Sequence, residues 1–93
     1  MVLSANQLRE QIGMRILICR EQAGLSQQDM ADDCSDDILH PICQQTVSNW
    51  ERGHDVPKLT TLIRVSEVLG VNLHWLLTGQ GSPRLPRKRE LSK

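Results

Sequence analysis

Apolar residues recur along this chain at helical spacing, and no run of four or more alternates as a half-buried strand would. Leu8, Ile12, Ile16, Cys19 and Ala23 form one stripe on a first helix. Ser4, with Gln7 three residues later, fits a capping box at its start. Gly24 ends it, since glycine takes the left-handed conformation without a Cβ clash. Ser26 with Asp29 repeats the capping pattern for a second helix over residues 27–34, with Met30 and Ala31 on its inner side. From Gln44 to Arg52 the helical pattern returns, Val47 and Trp50 face inward, and Gly53 stops it. His54 to Lys58, which contains Pro57, reads as a loop. Leu59, Leu62, Ile63, Ser66 and Leu69 make a fourth stripe that Gly70 terminates. Asn72 is suited to cap a short fifth helix carrying Leu73, Leu76 and Leu77, closed by Gly79. The pattern predicts an all-α fold of five short helices.

Two stretches break it. Asp32 to His40 is polar and acidic and ends at Pro41, which disfavours helix in the residue before it. Beyond Gly81 the text becomes Ser-Pro-Arg-Leu-Pro-Arg-Lys-Arg, too poor in apolar residues to offset its ordering entropy. The expected organisation is a domain over residues 1–81 and a basic, proline-containing flexible tail or linker over 82–93.

Ninety-three residues leave room for one core, and with two tryptophans as the only aromatics that core must be aliphatic. The longest apolar run, Ile16 to Cys19, is too short for a membrane span of about 20 residues or a secretory signal. Three irregularly spaced cysteines, Cys19, Cys34 and Cys43, argue against a disulfide scaffold and suit a reducing cytoplasm. The formal charge of zero hides a gradient: residues 1–81 carry a net −4 and residues 82–93 a net +4. An acidic body does not by itself advertise nucleic-acid binding, so any such role must come from particular residues. There is no glycine-rich phosphate loop, HExxH or nucleophile elbow, so an enzyme is not expected.

Those particular residues are present. The strings Ala23-Gly24-Leu25-Ser26-Gln27 and Gln44-Gln45-Thr46-Val47-Ser48-Asn49-Trp50-Glu51-Arg52-Gly53 resemble the Cro/CI-type, lambda-repressor-like or XRE family of helix-turn-helix domains. So do Pro57 with Thr61-Leu62, and Leu69-Gly70-Val71 followed by Trp75-Leu76-Leu77-Thr78-Gly79. The resemblance spans residues 8–79. It implies a compact five-helix domain whose third helix enters the DNA major groove while the second lies across the backbone. Gln44 and Gln45 then stand where such domains present base-reading side chains, and a glutamine amide can pair with adenine N6 and N7 together. Gln27 matches a position that holds a phosphate and braces the first reading glutamine. Thr46, Ser48 and Asn49 share the recognition helix, and Arg52 and Lys58 flank the loop after it as expected backbone contacts. Arg20 and Glu51 fall where the family places an ion pair between helices 1 and 3. Implied with these are double-stranded DNA as ligand, a homodimer on an inverted-repeat operator, a transcriptional repressor acting without cofactor, and no membrane.

The chain departs from the family between helices 2 and 3. Pro41 stands ten residues after Ala31, where the family usually reaches a turn glycine in about four, so the turn carries an insert of about six residues. Cys43 replaces a stronger capping residue at the start of helix 3. Cys34, His40 and Cys43, with Asp36 or Asp37, are the ligand types zinc prefers, but their spacing matches no established pairing and a plain loop is favoured. His54 and His74 read as surface residues. With Asp32, Asp33, Asp36 and Asp37 opposing phosphate, the simplest arrangement turns residues 35–40 away from DNA, as one extra helical turn. The alternative reading is an antitoxin-like or protein-interaction module that docks a protein partner through residues 32–40, with weak or no DNA binding.

Overall fold

Local capping sets where the helices begin. In the computed structural model, which describes residues 2–35 and 41–84, Ser4 opens α1 (Ala5–Gln22) with both halves of a capping box. The Ser4 hydroxyl accepts from the Gln7 N–H at 3.1 Å, and Gln7 Oε1 accepts from the Ser4 N–H at 2.8 Å. Ser26 and Asp29 reproduce this at α2 (Gln27–Cys34). Then come α3 (Gln44–Glu51), α4 (Leu59–Leu69) and α5 (Leu73–Thr78). Asn72 Oδ1 caps α5 by accepting from the His74 N–H at 2.9 Å. Among the described residues no helix is long and apolar enough to cross a membrane.

The core is aliphatic, as the composition requires. α1 supplies Ile16 and Cys19, α2 Met30, Ala31 and Cys34, and α3 Val47 and Trp50. α4 adds Leu62, Val65 and Leu69, and Val71 and Leu76 close it from the α5 side. Two stripes differ from expectation. On α4 the inward face is Leu62, Val65, Ser66 and Leu69, whereas Leu59 and Ile63 are 66% and 44% exposed. Both faces of this helix are apolar, so periodicity alone does not choose between them; packing on α2 and α5 rotates Val65 inward. On α1, Leu8 and Ala23 are exposed and burial is confined to the middle of the helix. At 18 residues α1 is far longer than the 8-residue α2 and α3, so its ends outrun the surface that would cover them.

Gly13 marks where α1 meets α3. A Cβ there would lie 2.1 Å from the Trp50 carbonyl oxygen and 3.0 Å from that of Glu51. Only a hydrogen side chain lets the two backbones approach so closely.

Arg15 ties α1 to the far end of the bundle. Its Nε donates to the Leu76 carbonyl at 2.8 Å and an Nη to that of Leu77 at 3.1 Å. A cation thus satisfies the last carbonyls of α5, where the helix dipole is negative.

The neck of the insert is also closed by a side chain. The Ser35 hydroxyl donates to the Ala31 carbonyl at 2.8 Å and accepts from the Ile42 N–H at 2.8 Å. α2 and α3 therefore meet through a joint that bypasses the insert, whose expected extra turn at residues 36–40 lies outside the described residues. Pro83 and Arg84, assigned by composition to the tail, return to the body. Pro83 accepts from the Asn72 N–H at 2.9 Å, and Arg84 pairs with Val71 in an isolated antiparallel bridge. The rest of the tail lies outside the described residues.

Candidate nucleic-acid interface

The geometry of α3 is set from beneath by one carboxylate. Glu51 closes the helix with only 4% of its side chain exposed. Removing a carboxylate from water this far is tolerable only when it is paired and hydrogen-bonded. Arg20 from α1 supplies the pair: Nε lies 2.5 Å from Glu51 Oε2 and an Nη 3.2 Å from Oε1, a fork-to-fork arrangement. The other Nη of Arg20 donates to the Leu25 carbonyl at 2.8 Å, which holds the turn into α2. Hydrogen bonding to Glu51 raises the Arg20 pKa, so the guanidinium stays charged throughout the accessible pH range.

A third donor reaches the carboxylate from α2, as Gln27 Nε2 donates to Glu51 Oε1 at 2.9 Å. Gln27 Oε1 in turn faces Gln44 Nε2 at 3.4 Å, the outer limit of a hydrogen bond. The chain Arg20–Glu51–Gln27–Gln44 thus runs from the helix junction to the exposed first turn of α3. Sequence reasoning expected its two ends but not the Gln27–Glu51 link that joins them. The residues are 24 apart, and no local spacing signals such a contact.

A second group lies further along α3. Gln45 Nε2 donates to Asn49 Oδ1 at 3.0 Å, and an Arg52 Nη donates to the same oxygen at 3.3 Å. The cluster runs from the exposed Gln45 through half-buried Asn49 to the exposed Arg52 guanidinium. Thr46 and Ser48 are half-buried on the same helix. Lys58 is exposed and stands apart from both groups, at the N-cap of α4.

Cys43 caps α3 without a side-chain hydrogen bond to the helix backbone, as the weak acceptor strength of a thiol predicts. Its Sγ instead lies 3.3 Å from the Thr46 hydroxyl, and hydrogen bonding from Thr46 lowers the thiol pKa. Cys34 and Cys19 are buried in the core, and burial pushes the Cys19 thiol up. An aromatic disulfide reagent is therefore expected to titrate Cys43 in the native protein, with Cys19 and Cys34 reacting only after unfolding. Thr46→Val should slow the Cys43 reaction by removing the hydroxyl. Fast release of all three thiols from native protein would contradict this burial pattern.

The considered zinc ligands do not share an environment, since Cys34 points into the core and Cys43 is exposed. His40, Asp36 and Asp37 lie outside the described residues, among which no group of three or more metal-ligating side chains gathers.

Comparison with known proteins places this geometry. A helix-turn-helix family profile matches residues 16–76. Over 71 residues the chain is 37% identical to the repressor protein CI of Enterobacteria phage phi80, covering 76% of this chain and 26% of that repressor. It is 39% identical over 67 residues to the SPbeta prophage-derived uncharacterized HTH-type transcriptional regulator YonR of Bacillus subtilis, covering 72% and 56% of the two chains. A second uncharacterized B. subtilis HTH-type transcriptional regulator, YqaE, is 34% identical over 67 residues, covering 72% and 53%. The chain thus spans about a quarter of the phage repressor and just over half of the B. subtilis regulators. The matched segment runs from the middle of α1 into α5 and contains Arg20, Gln27, Gln44 and Glu51. With the helix order, the α2–α3 joint and these matches in agreement, the chain belongs to the Cro/CI-type helix-turn-helix family.

Proposed function

We propose that this chain is the sequence-specific DNA-binding part of a transcriptional regulator, a repressor that binds an inverted-repeat operator as a homodimer. The observation that carries the reading is the exposed polar face of α3, with Gln44, Gln45 and Asn49 held in two hydrogen-bonded groups over a buried ion pair. Amide side chains fixed on a helix of 8 residues match the way base edges are read in a major groove. In this reading Gln44 and Gln45 read bases, with Asn49 one turn on. Gln27, Arg52 and Lys58 hold phosphate, and Thr46 and Ser48 line the approach to the backbone. Membership of a family that includes a protein named as a repressor supports it further.

The test begins with selection of bound sites from randomised duplex. Gln44→Ala is then expected to weaken the selected site by about 1–3 kcal/mol and to relax preference at one base pair. Affinity for random duplex should stay unchanged, with a steep salt dependence in both variants. Equal losses on the two duplexes would remove Gln44 from the readers.

A further inference from the structure

We propose that the apolar strip of Val56, Leu59 and Ile63 is the surface through which a second copy of this chain joins the first on DNA. The inference rests on the reading of the chain as a homodimer on an inverted repeat, and it assigns the face that the two copies share.

The strip is the apolar side of α4 that the bundle leaves uncovered. Leu59 and Ile63 stand one turn apart on it, so their side chains adjoin. Val56 precedes them in the loop after α3, and all three are exposed while Leu62, Val65 and Leu69 fill the core. The strip is small. Three part-exposed side chains fall well short of the ~800 Å² per partner that a stable complex buries. Two copies therefore meet on DNA, where neighbouring half-sites hold them at high effective concentration.

Charge decides which edge the copies share. A twofold pair sets one edge of the molecule against the same edge of its partner. With each α3 in its own groove, that edge lies beside either the start or the end of α3. The start is flanked by α2, since Gln27 meets Gln44 there and Ser35 bonds Ile42. Residues 27–37 carry five carboxylates, Asp29, Asp32, Asp33, Asp36 and Asp37, and no Lys or Arg. Pairing that edge with itself opposes like charges with no cation between them, which is strongly unfavourable. The end of α3 leads into the loop and α4, where Arg52, Lys58 and Arg64 stand against Asp55 and Glu67. Glu10 joins them, because Gly53 packs so closely on α1 that a Cβ would lie 3.0 Å from the Glu10 Cα. Three cations and three carboxylates leave this edge without a like-charge field. It is also the edge that carries the strip.

The experiment uses the 93-residue chain, its selected inverted-repeat duplex, and the same duplex with one half-site scrambled. Without DNA the chain should sediment as a monomer at micromolar concentration, whereas two copies should occupy the full site. The second copy should bind at least about fivefold more tightly than a copy on the single half-site, the lower end of usual coupling between sites. Leu59→Ser combined with Ile63→Ser removes the strip without changing charge, so attraction to phosphate stays as it was. This double variant should keep the half-site affinity and the unfolding midpoint, while the coupling falls to within about twofold of none. Met14→Ser combined with Ile18→Ser alters another exposed apolar pair, on α1, and should leave the coupling intact. Coupling retained without Leu59 and Ile63, or lost equally without Met14 and Ile18, would overturn the proposal. So would a stable dimer in the absence of DNA. Should the double variant unfold, Leu59→Ser decides alone, because that side chain is mostly exposed. A single uncoupled copy on a selected site without twofold symmetry would instead remove the homodimer reading, and the shared face with it.

Discussion

Gly13→Ala is expected to cost this protein at least about 3 kcal/mol of stability, the upper range for overpacking a well-packed contact. Intrinsic helix propensity argues the other way, because alanine inside a helix is better than glycine by about 0.5–1 kcal/mol. Geometry decides the sign. The new methyl group would sit 2.1 Å from the Trp50 carbonyl oxygen. That atom belongs to backbone at the end of α3, not to a side chain that can rotate away. α3 must move outward, which opens the packing of Trp50 and Val47 and displaces the Glu51 carboxylate from Arg20. For a domain of this size the loss corresponds to a fall in melting temperature on the order of 15 °C. Thermal unfolding followed by circular dichroism measures it directly. A melting temperature at or above that of the parent would mean that α1 and α3 do not cross at Gly13.

The second large effect belongs to the ion pair. Removing either partner, by Arg20→Ala or Glu51→Ala, should destabilise folding by about 3–5 kcal/mol, because each strands a charge that the fold has withdrawn from water. The side chains are 12% and 4% exposed, so solvent does little to relieve the orphan. Arg20→Ala also loses the bond to the Leu25 carbonyl, and Glu51→Ala leaves the Gln27 amide without its acceptor. The double variant should be much less damaged than the sum of the singles, since it leaves no uncompensated charge. Urea unfolding of the four proteins closes the double-mutant cycle. Additive single effects would show that the two residues do not couple.

Helix boundaries were readable in the chain because they rest on contacts three or four residues apart. Ser4 with Gln7 and Ser26 with Asp29 form the bonds their spacing predicts. The boundary predicted for α2 matches the observed Gln27–Cys34. The expected Arg20–Glu51 pair is also present, but it reached the sequence reading through family resemblance, since nothing local joins residues 31 positions apart.

Four features were not legible, and each depends on distance in sequence. The inward face of α4 was misassigned at Leu59 and Ile63 because that helix carries apolar residues on both sides, and its neighbours choose between them. Arg15 offered no sign that its guanidinium would cap a helix 61 residues later. Ser35 gave none that its hydroxyl would close the neck of the insert on Ile42. Gly13 lies inside the helical pattern of α1, and its missing side chain, which permits a close backbone approach, was the one available signal.

The order of helices, their caps and the identity of the α3 side chains are properties of the chain itself, written in interactions that each segment satisfies alone. The angle of α3 belongs to the assembled bundle. It requires α1, α2 and α3 to converge on one carboxylate, and a carboxylate withdrawn from water needs donors from every side to stay there.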